Sequence, residues 1–158
     1  MKTKKKVFKQ NDFEKAVLNT SDTINCYKIG LQALTRAFRI KINPNNPNLC
    51  DGSVELDECV LKKYPQSNRW DYIIGYNGKA YFIEFHSANT GEVSVMLRKL
   101  QWLRDWLHQH APEINKIKAT EGAYIWIQSK GNHILKGSAE ERKIAQSGLK
   151  PVAKLELK

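Results

Sequence analysis

At 158 residues, with 41% hydrophobic and 27% charged side chains, the chain is long enough to bury a real core and belongs to the folded class rather than the disordered one. Its 26 Lys and Arg against 16 Asp and Glu give a formal charge of +10, which suits a polyanionic partner better than an acidic or neutral one. No apolar run approaches the roughly 20 residues of a membrane span. The lysine-rich start leads into no apolar segment, so a membrane or secreted protein is disfavoured and a cytoplasmic one expected.

Cys26, Cys50 and Cys59 are odd in number and lack CxxC spacing, which predicts reduced thiols in place of a disulfide framework or a structural zinc site. Residues 1–22 read as a basic extension whose MKTKKK opening is a solvated tail and in which Asn11 or Asp12 caps a short helix through Leu18. Residues 23–158 read as a single domain. Ile24, Tyr27, Leu31, Leu34, Ala37 and Phe38 recur at helical spacing after the Thr20-Ser21-Asp22 cap, predicting a helix from about Thr23 to Phe38. Asn43 to Gly52, NPNNPNLCDG, is a loop by composition. Val54, Leu56 and Glu58 then fit a strand, while Leu56, Cys59, Val60 and Lys63 fit a short helix, and periodicity does not choose between them. Tyr64-Pro65-Gln66-Ser67-Asn68 turns the chain.

Arg69 to His86, RWDYIIGYNGKAYFIEFH, reads as a tight β-hairpin. Its β-rich runs, Trp70 to Tyr76 and Lys79 to Phe85, flank Asn77-Gly78, a dipeptide suited to a type I′ turn because both positions need positive φ. With Tyr76 opposite Lys79, Ile74 faces Tyr81, Tyr72 faces Ile83 and Asp71 faces Glu84. Opposed Cβ atoms lie roughly 5 Å apart, so two like charges there require a cation, a raised pKa or a basic neighbour. Alternation puts Phe82, Glu84 and His86 on one face, Tyr81, Ile83 and Phe85 on the other, and Arg69 opposite His86.

Beyond His86 a polar loop to Glu92 launches the strongest helical pattern in the chain. Val93, Met96, Leu97, Leu100, Leu103, Trp106 and Leu107 form one apolar stripe that can lie on a sheet, with Trp102 beside it as a core candidate. Arg98, Arg104, Lys99 and Gln101 fall outside the stripe, where basic groups either contact phosphates or stay solvated. His108 and His110, two apart, do not share a helix face and suit the C-terminal dipole better than a metal. Pro112 ends the helix, and Glu113 to Thr120 is a polar connection anchored by Ile114 and Ile117. Ala123 to Ile127 is an apolar strand of the doubly buried kind, and Lys130-Gly131-Asn132 turns it into a short strand, His133 to Leu135. Ser138 and Glu141 form a capping box for a helix from Ala139 to Gln146, with Gly148 as its C′ residue. Val152 to Leu157 alternates as an edge strand.

Asp71 followed by Glu84-Phe85-His86 resembles the motif of the PD-(D/E)XK nuclease superfamily, the restriction-endonuclease-like fold. That motif is an acidic residue near the start of one strand and a (D/E)-x-K triplet on the next; His86 stands where the family usually has lysine. The resemblance implies Asp71 and Glu84 as ligands of Mg²⁺ or Mn²⁺, Phe85 lending its backbone carbonyl, and His86 in the lysine's place beside the attacking water. Histidine can act as a base near neutral pH. The order of elements from about Thr23 to Ser129 has the shape of that fold's α-β-β-β-α-β core, an α/β architecture with a mixed central sheet flanked by helices. In that family a helix before the sheet often adds an acid; Glu14, or one of Glu55, Asp57 and Glu58, is what this chain offers.

The first expectation is therefore a metal-dependent nuclease cutting phosphodiester bonds in DNA or RNA, with Arg69, Arg98, Lys99 and Arg104 holding the nucleic acid. His86 also motivates an alternative, a catalytically inactive nucleic-acid-binding or scaffolding module of the same fold. A third reading makes Asp71, Glu84, His86 and Arg69 a structural network in which the bases offset the acids. So short a chain has little room for a recognition domain, so a homodimer or a partner protein is the expected source of specificity.

Overall fold

The computed structural model describes residues 9–158, so the MKTKKK opening lies outside the described residues. The elements are α1 (Asp12–Leu18), α2 (Arg36–Arg39), β1 (Ile42–Pro44), β2 (Cys50–Glu55), α3 (Leu56–Val60), β3 (Tyr72–Tyr76), β4 (Lys79–Asn89), α4 (Val93–Gln109), α5 (Pro112–Lys116), β5 (Tyr124–His133), α6 (Ala139–Ser147), β6 (Pro151–Val152) and β7 (Leu155–Leu157). Single 3₁₀ turns, Pro47–Leu49 and Thr90–Glu92, lead into β2 and α4.

Asn77 and Gly78 take φ of 48° and 77°, the left-handed pair a type I′ turn needs. The hairpin has the register the turn dictates, with Tyr76 opposite Lys79, Ile74 opposite Tyr81 and Tyr72 opposite Ile83. Around it grows a mixed five-stranded sheet in the order β2-β3-β4-β5-β6, antiparallel across β2, β3 and β4 and parallel across β4, β5 and β6. The parallel steps from β4 to β5 and from β5 to β6 each require a crossover, and α4 with α5 supplies the first and α6 the second.

Helices and a small second sheet cover the two faces. On one face Ile73, Phe82 and Trp126 pack with Phe13 of α1, Met96, Leu100, Leu103 and Trp106 of α4, and Ile114 of α5. Contact with α1 is close because β3 has Gly75 beneath it: a Cβ there would lie 2.3 Å from Phe13 Cγ. On the other face Tyr72, Ile74, Ile83, Ile125 and Ile127 meet Leu34, Ile42, Leu155 and Leu157. Each fully buried side chain of this kind contributes roughly 1.5–3 kcal/mol relative to exposure. Among the described residues no helix is long and apolar enough to cross a membrane.

The structure corrects several sequence expectations. Thr23 to Phe38 is not a helix; only Arg36–Arg39 is helical, and Ile24 and Ile29 are 50% and 71% exposed. The backbone there has other partners. Lys28 and Ser53 exchange two 2.9 Å hydrogen bonds at the edge of β2, Gly30 takes φ of 54°, and Tyr27 Oη donates to Asp51 O at 2.7 Å. Nor are all the thiols reduced: Cys26 and Cys59 form a disulfide, leaving Cys50 free among the described cysteines. Their separation of 33 in sequence hides a Cα to Cα distance of 6.1 Å, which the fold of the loop creates. The segment between Asn43 and Gly52 carries β1, a 3₁₀ turn and the start of β2. The alternatives left open for Val54 to Lys63 are both realised in sequence, a strand through Glu55 and a helix from Leu56.

Toward the carboxyl end β5 runs through Lys130 to Asn132 without turning, with a register shift against β4 between His86 and Ala88. The expected edge strand splits: β6 completes the large sheet, and β7 pairs in parallel with β1. Ser138 Oγ caps α6 at Glu141 N, and Gly148 takes the left-handed C-cap with φ of 81°.

Candidate active site

Pairing of β3 with β4 reaches Tyr72 and Ile83, and the next position outward is held by side chains. Asp71 N donates to Glu84 Oε2 at 2.9 Å and Phe85 N donates to Asp71 Oδ2 at 3.0 Å, so each acid binds a backbone amide of the other's strand. The N-terminus of α3 fixes Asp71 from behind, since Leu56 N and Asp57 N donate to Asp71 O at 2.8 and 3.3 Å. Glu84 is 1% exposed. Alternation along β4 turns it, with Phe82, to the face that α4 covers.

That covering helix supplies the cation. Lys99 Nζ donates to Glu84 Oε1 and, at 3.2 Å, to Arg69 O, and its side chain is 19% exposed. The expectation that Lys99 lies outside the packed face, free for phosphate, is thereby corrected: it points inward. His86 Nε2 is 2.8 Å from Glu92 Oε2 and His86 Nδ1 is 3.8 Å from Glu84 Oε1, while Trp126 Nε1 donates to His86 O at 2.9 Å. The contacts nest as the chain reverses from strand to helix. The inner pair joins His86 to Glu92 just before α4, and the outer pair joins Glu84 to Lys99 two turns further on. Glu92, at the end of the 3₁₀ turn, and Lys99 are seven apart, a spacing that hints at one flank without saying what lies beneath it. Glu92 itself was not anticipated.

Burial sets the electrostatics. It pushes the Glu84 carboxyl up to about 8, with Asp71 adding to the rise and Lys99 opposing it. Asp71 is raised as well, again chiefly by burial, against the Phe85 amide and Lys99, which favour its charged form. Two acids share one closely bound lysine.

The remaining sequence candidates disperse. Arg69 does not join the carboxylates; its Nε binds Asp57 Oδ1 at 2.8 Å and its guanidinium donates to Tyr64 O at 2.8 Å, tying down the loop before β3. Arg98 is exposed on α4. Arg104 is also exposed, donates to Ser147 O at 3.2 Å and lies 5.2 Å from the centre of the Tyr124 ring. Glu14 belongs to α1 and Glu55 to the end of β2.

Asp71, Glu84 and the Phe85 carbonyl are the groups here that could hold a cation. Among the described residues Asp71 Oδ1 accepts no hydrogen bond, so this acid keeps a free oxygen. No three His, Cys, Asp or Glu side chains are gathered as a complete ligand set among the described residues. Two carboxylates and a backbone carbonyl are nevertheless a usual protein share for Mg²⁺, which retains several waters. Comparison of the chain with protein-family models, with curated proteins and with solved structures found no match.

Proposed function

We propose that the chain is a metal-dependent phosphodiesterase acting on nucleic acid, built on a restriction-endonuclease-like arrangement of its mixed sheet. The observation that carries this reading is the buried pair of Asp71 and Glu84, raised in pKa and only partly neutralised by Lys99. Perturbed, paired carboxylates of this kind mark functional sites more often than structural ones are placed so. Asp71 and Glu84, with the Phe85 carbonyl, are the residues that would hold Mg²⁺ or Mn²⁺. Bound there, the ion would supply a nucleophilic water at neutral pH and charge neutralisation at phosphorus.

The chain's own groups have separate tasks. Lys99, the lysine nearest the two acids, limits their repulsion and favours the charged form of Glu84 against burial. His86, oriented by Glu92 through Nε2, presents Nδ1 toward Glu84 and can take a proton from a water between them. Arg98, exposed on α4, is available to a phosphate backbone.

A second reading rests on Glu84, both of whose oxygens are already engaged at 1% exposure. In it the site is a closed polar network and the chain an inactive binding or scaffolding module. Cleavage of plasmid, single-stranded DNA and RNA under Mg²⁺ or Mn²⁺ titration separates the two. The nuclease reading expects metal-dependent cutting, abolished in Asp71→Ala and Glu84→Ala and reduced about 100-fold or more in His86→Ala. No cutting by the wild type, with no metal uptake by calorimetry, leaves the second reading.

A further inference from the structure

We propose that a groove at the amino ends of β4, β5 and β6, separate from the carboxylate pair, binds a single strand of nucleic acid through its phosphates. The groove encloses about 680 Å³ and is lined by Lys79, Lys150, Lys154 and Lys158, with Tyr81, Ile125, Val152 and Leu155 contributing apolar surface. These four lysines make no ion pair among the described residues and are gathered in one concavity. Two acids, Glu121 and Glu156, also line the groove, and Glu156 Oε2 is taken by Asn43 Nδ2 at 2.6 Å.

Tyr124 adds to the positive potential at the rim. Its ring holds Arg104 at 5.2 Å and Lys118 at 5.5 Å, so two further cations are kept beside the groove. Unpaired cations gathered in a concavity of a chain with a net charge of +10 fit a polyanion. The apolar walls choose between its forms. A duplex turns its phosphates outward and hides the base faces, whereas a single strand offers both phosphates and apolar base faces to one groove. The position is also distinct from that of the acids, since Lys79 opens β4 five residues before Glu84, roughly 17 Å along an extended strand.

Binding here does not depend on the chemistry proposed for the hairpin, and the test keeps the two apart. A fluorescently labelled 12-mer of deoxythymidine is titrated in EDTA, where cleavage is silenced, by anisotropy at 50 and 200 mM salt. The wild type should bind it more tightly than a 12-base-pair duplex. Lys150→Glu/Lys154→Glu should lose ten-fold or more in affinity and lower the salt slope by roughly 1.4, two contacts at about 0.7 each. Lys15→Glu/Lys62→Glu, the same charge change outside the groove, should stay within about two-fold, and Asp71→Ala should bind no more weakly than the wild type. Equal losses in both double variants, or a groove variant that melts like the wild type and binds like it, would overturn the proposal. So would preference for the duplex.

Discussion

Two acids are buried against α4, and they have opposite characters. Asp22, with its side chain 3% exposed, accepts from Lys63 Nζ at 2.6 Å, Tyr64 Oη at 2.8 Å and Trp106 Nε1 at 3.0 Å. Burial alone would raise it, but the three donors together hold its carboxyl below the usual range. Glu84 lies deeper and also has a lysine, yet it sits well above the usual range because that stronger burial is joined by a second carboxylate. The difference lies in the depth of burial and in the ratio of donors to acids. A buried acid with a full set of donors is a structural clamp, whereas two acids sharing too few donors form a site with affinity for protons or cations.

The comparison breaks most readily at Lys99. Lys99→Met leaves two buried acids without their cation and should cost about 3 kcal/mol in urea denaturation at pH 8. The loss should shrink at pH 5, where Glu84 carries a proton; a loss independent of pH would mean that Lys99 serves packing alone. Asp22→Asn comes next, at about 2 kcal/mol, because it weakens bonds to three donors at once. Its pH dependence has the same sign but lies in a lower window. Asp22 is depressed in the folded state, so its contribution is present above its ordinary 3.8 and fades as pH falls through the lower folded value.

Glu84 is raised from 4.5 to about 8, so the folded state holds the proton more tightly than the unfolded chain does. Its ionisation therefore costs nothing below the lower value and costs most above the upper one, and stability should fall as pH rises between them. Glu84→Gln should flatten that fall, measured as thermal midpoints across the window. A profile identical to the wild type would show that Glu84 does not titrate there.

The hairpin could be read from the chain because its determinants are adjacent: Asn77-Gly78 sets the turn, and a fixed register then opposes Asp71 to Glu84. The apolar stripe of α4 was equally legible, since six of its seven members are buried. Lys99 was not, because a helical wheel marks the edge of a stripe without saying what lies beneath it. Only the nesting of β4 under α4 turns that edge toward Glu84. The loop from Thr23 to Thr35 misled for a related reason. Helical spacing was present, but Tyr27, Lys28 and Cys26 found partners at Asp51, Ser53 and Cys59, and those distant contacts outweighed local propensity.

The nested contacts around Glu84 also bear on how the molecule reaches its shape. Asp71 to Glu84, Glu84 to Lys99 and His86 to Glu92 close loops of 13, 15 and 6 residues, whereas Asp22 meets Trp106 across 84. Loop-closure entropy grows with length, so the short closures are the less costly ones to make first. The segment from Asp71 to Lys99 contains every side chain of the carboxylate cluster, and its assembly does not wait for either terminus. Pulse-labelled hydrogen exchange during refolding should therefore protect the amides of Asp71 and Phe85 before those that depend on the Asp22 clamp.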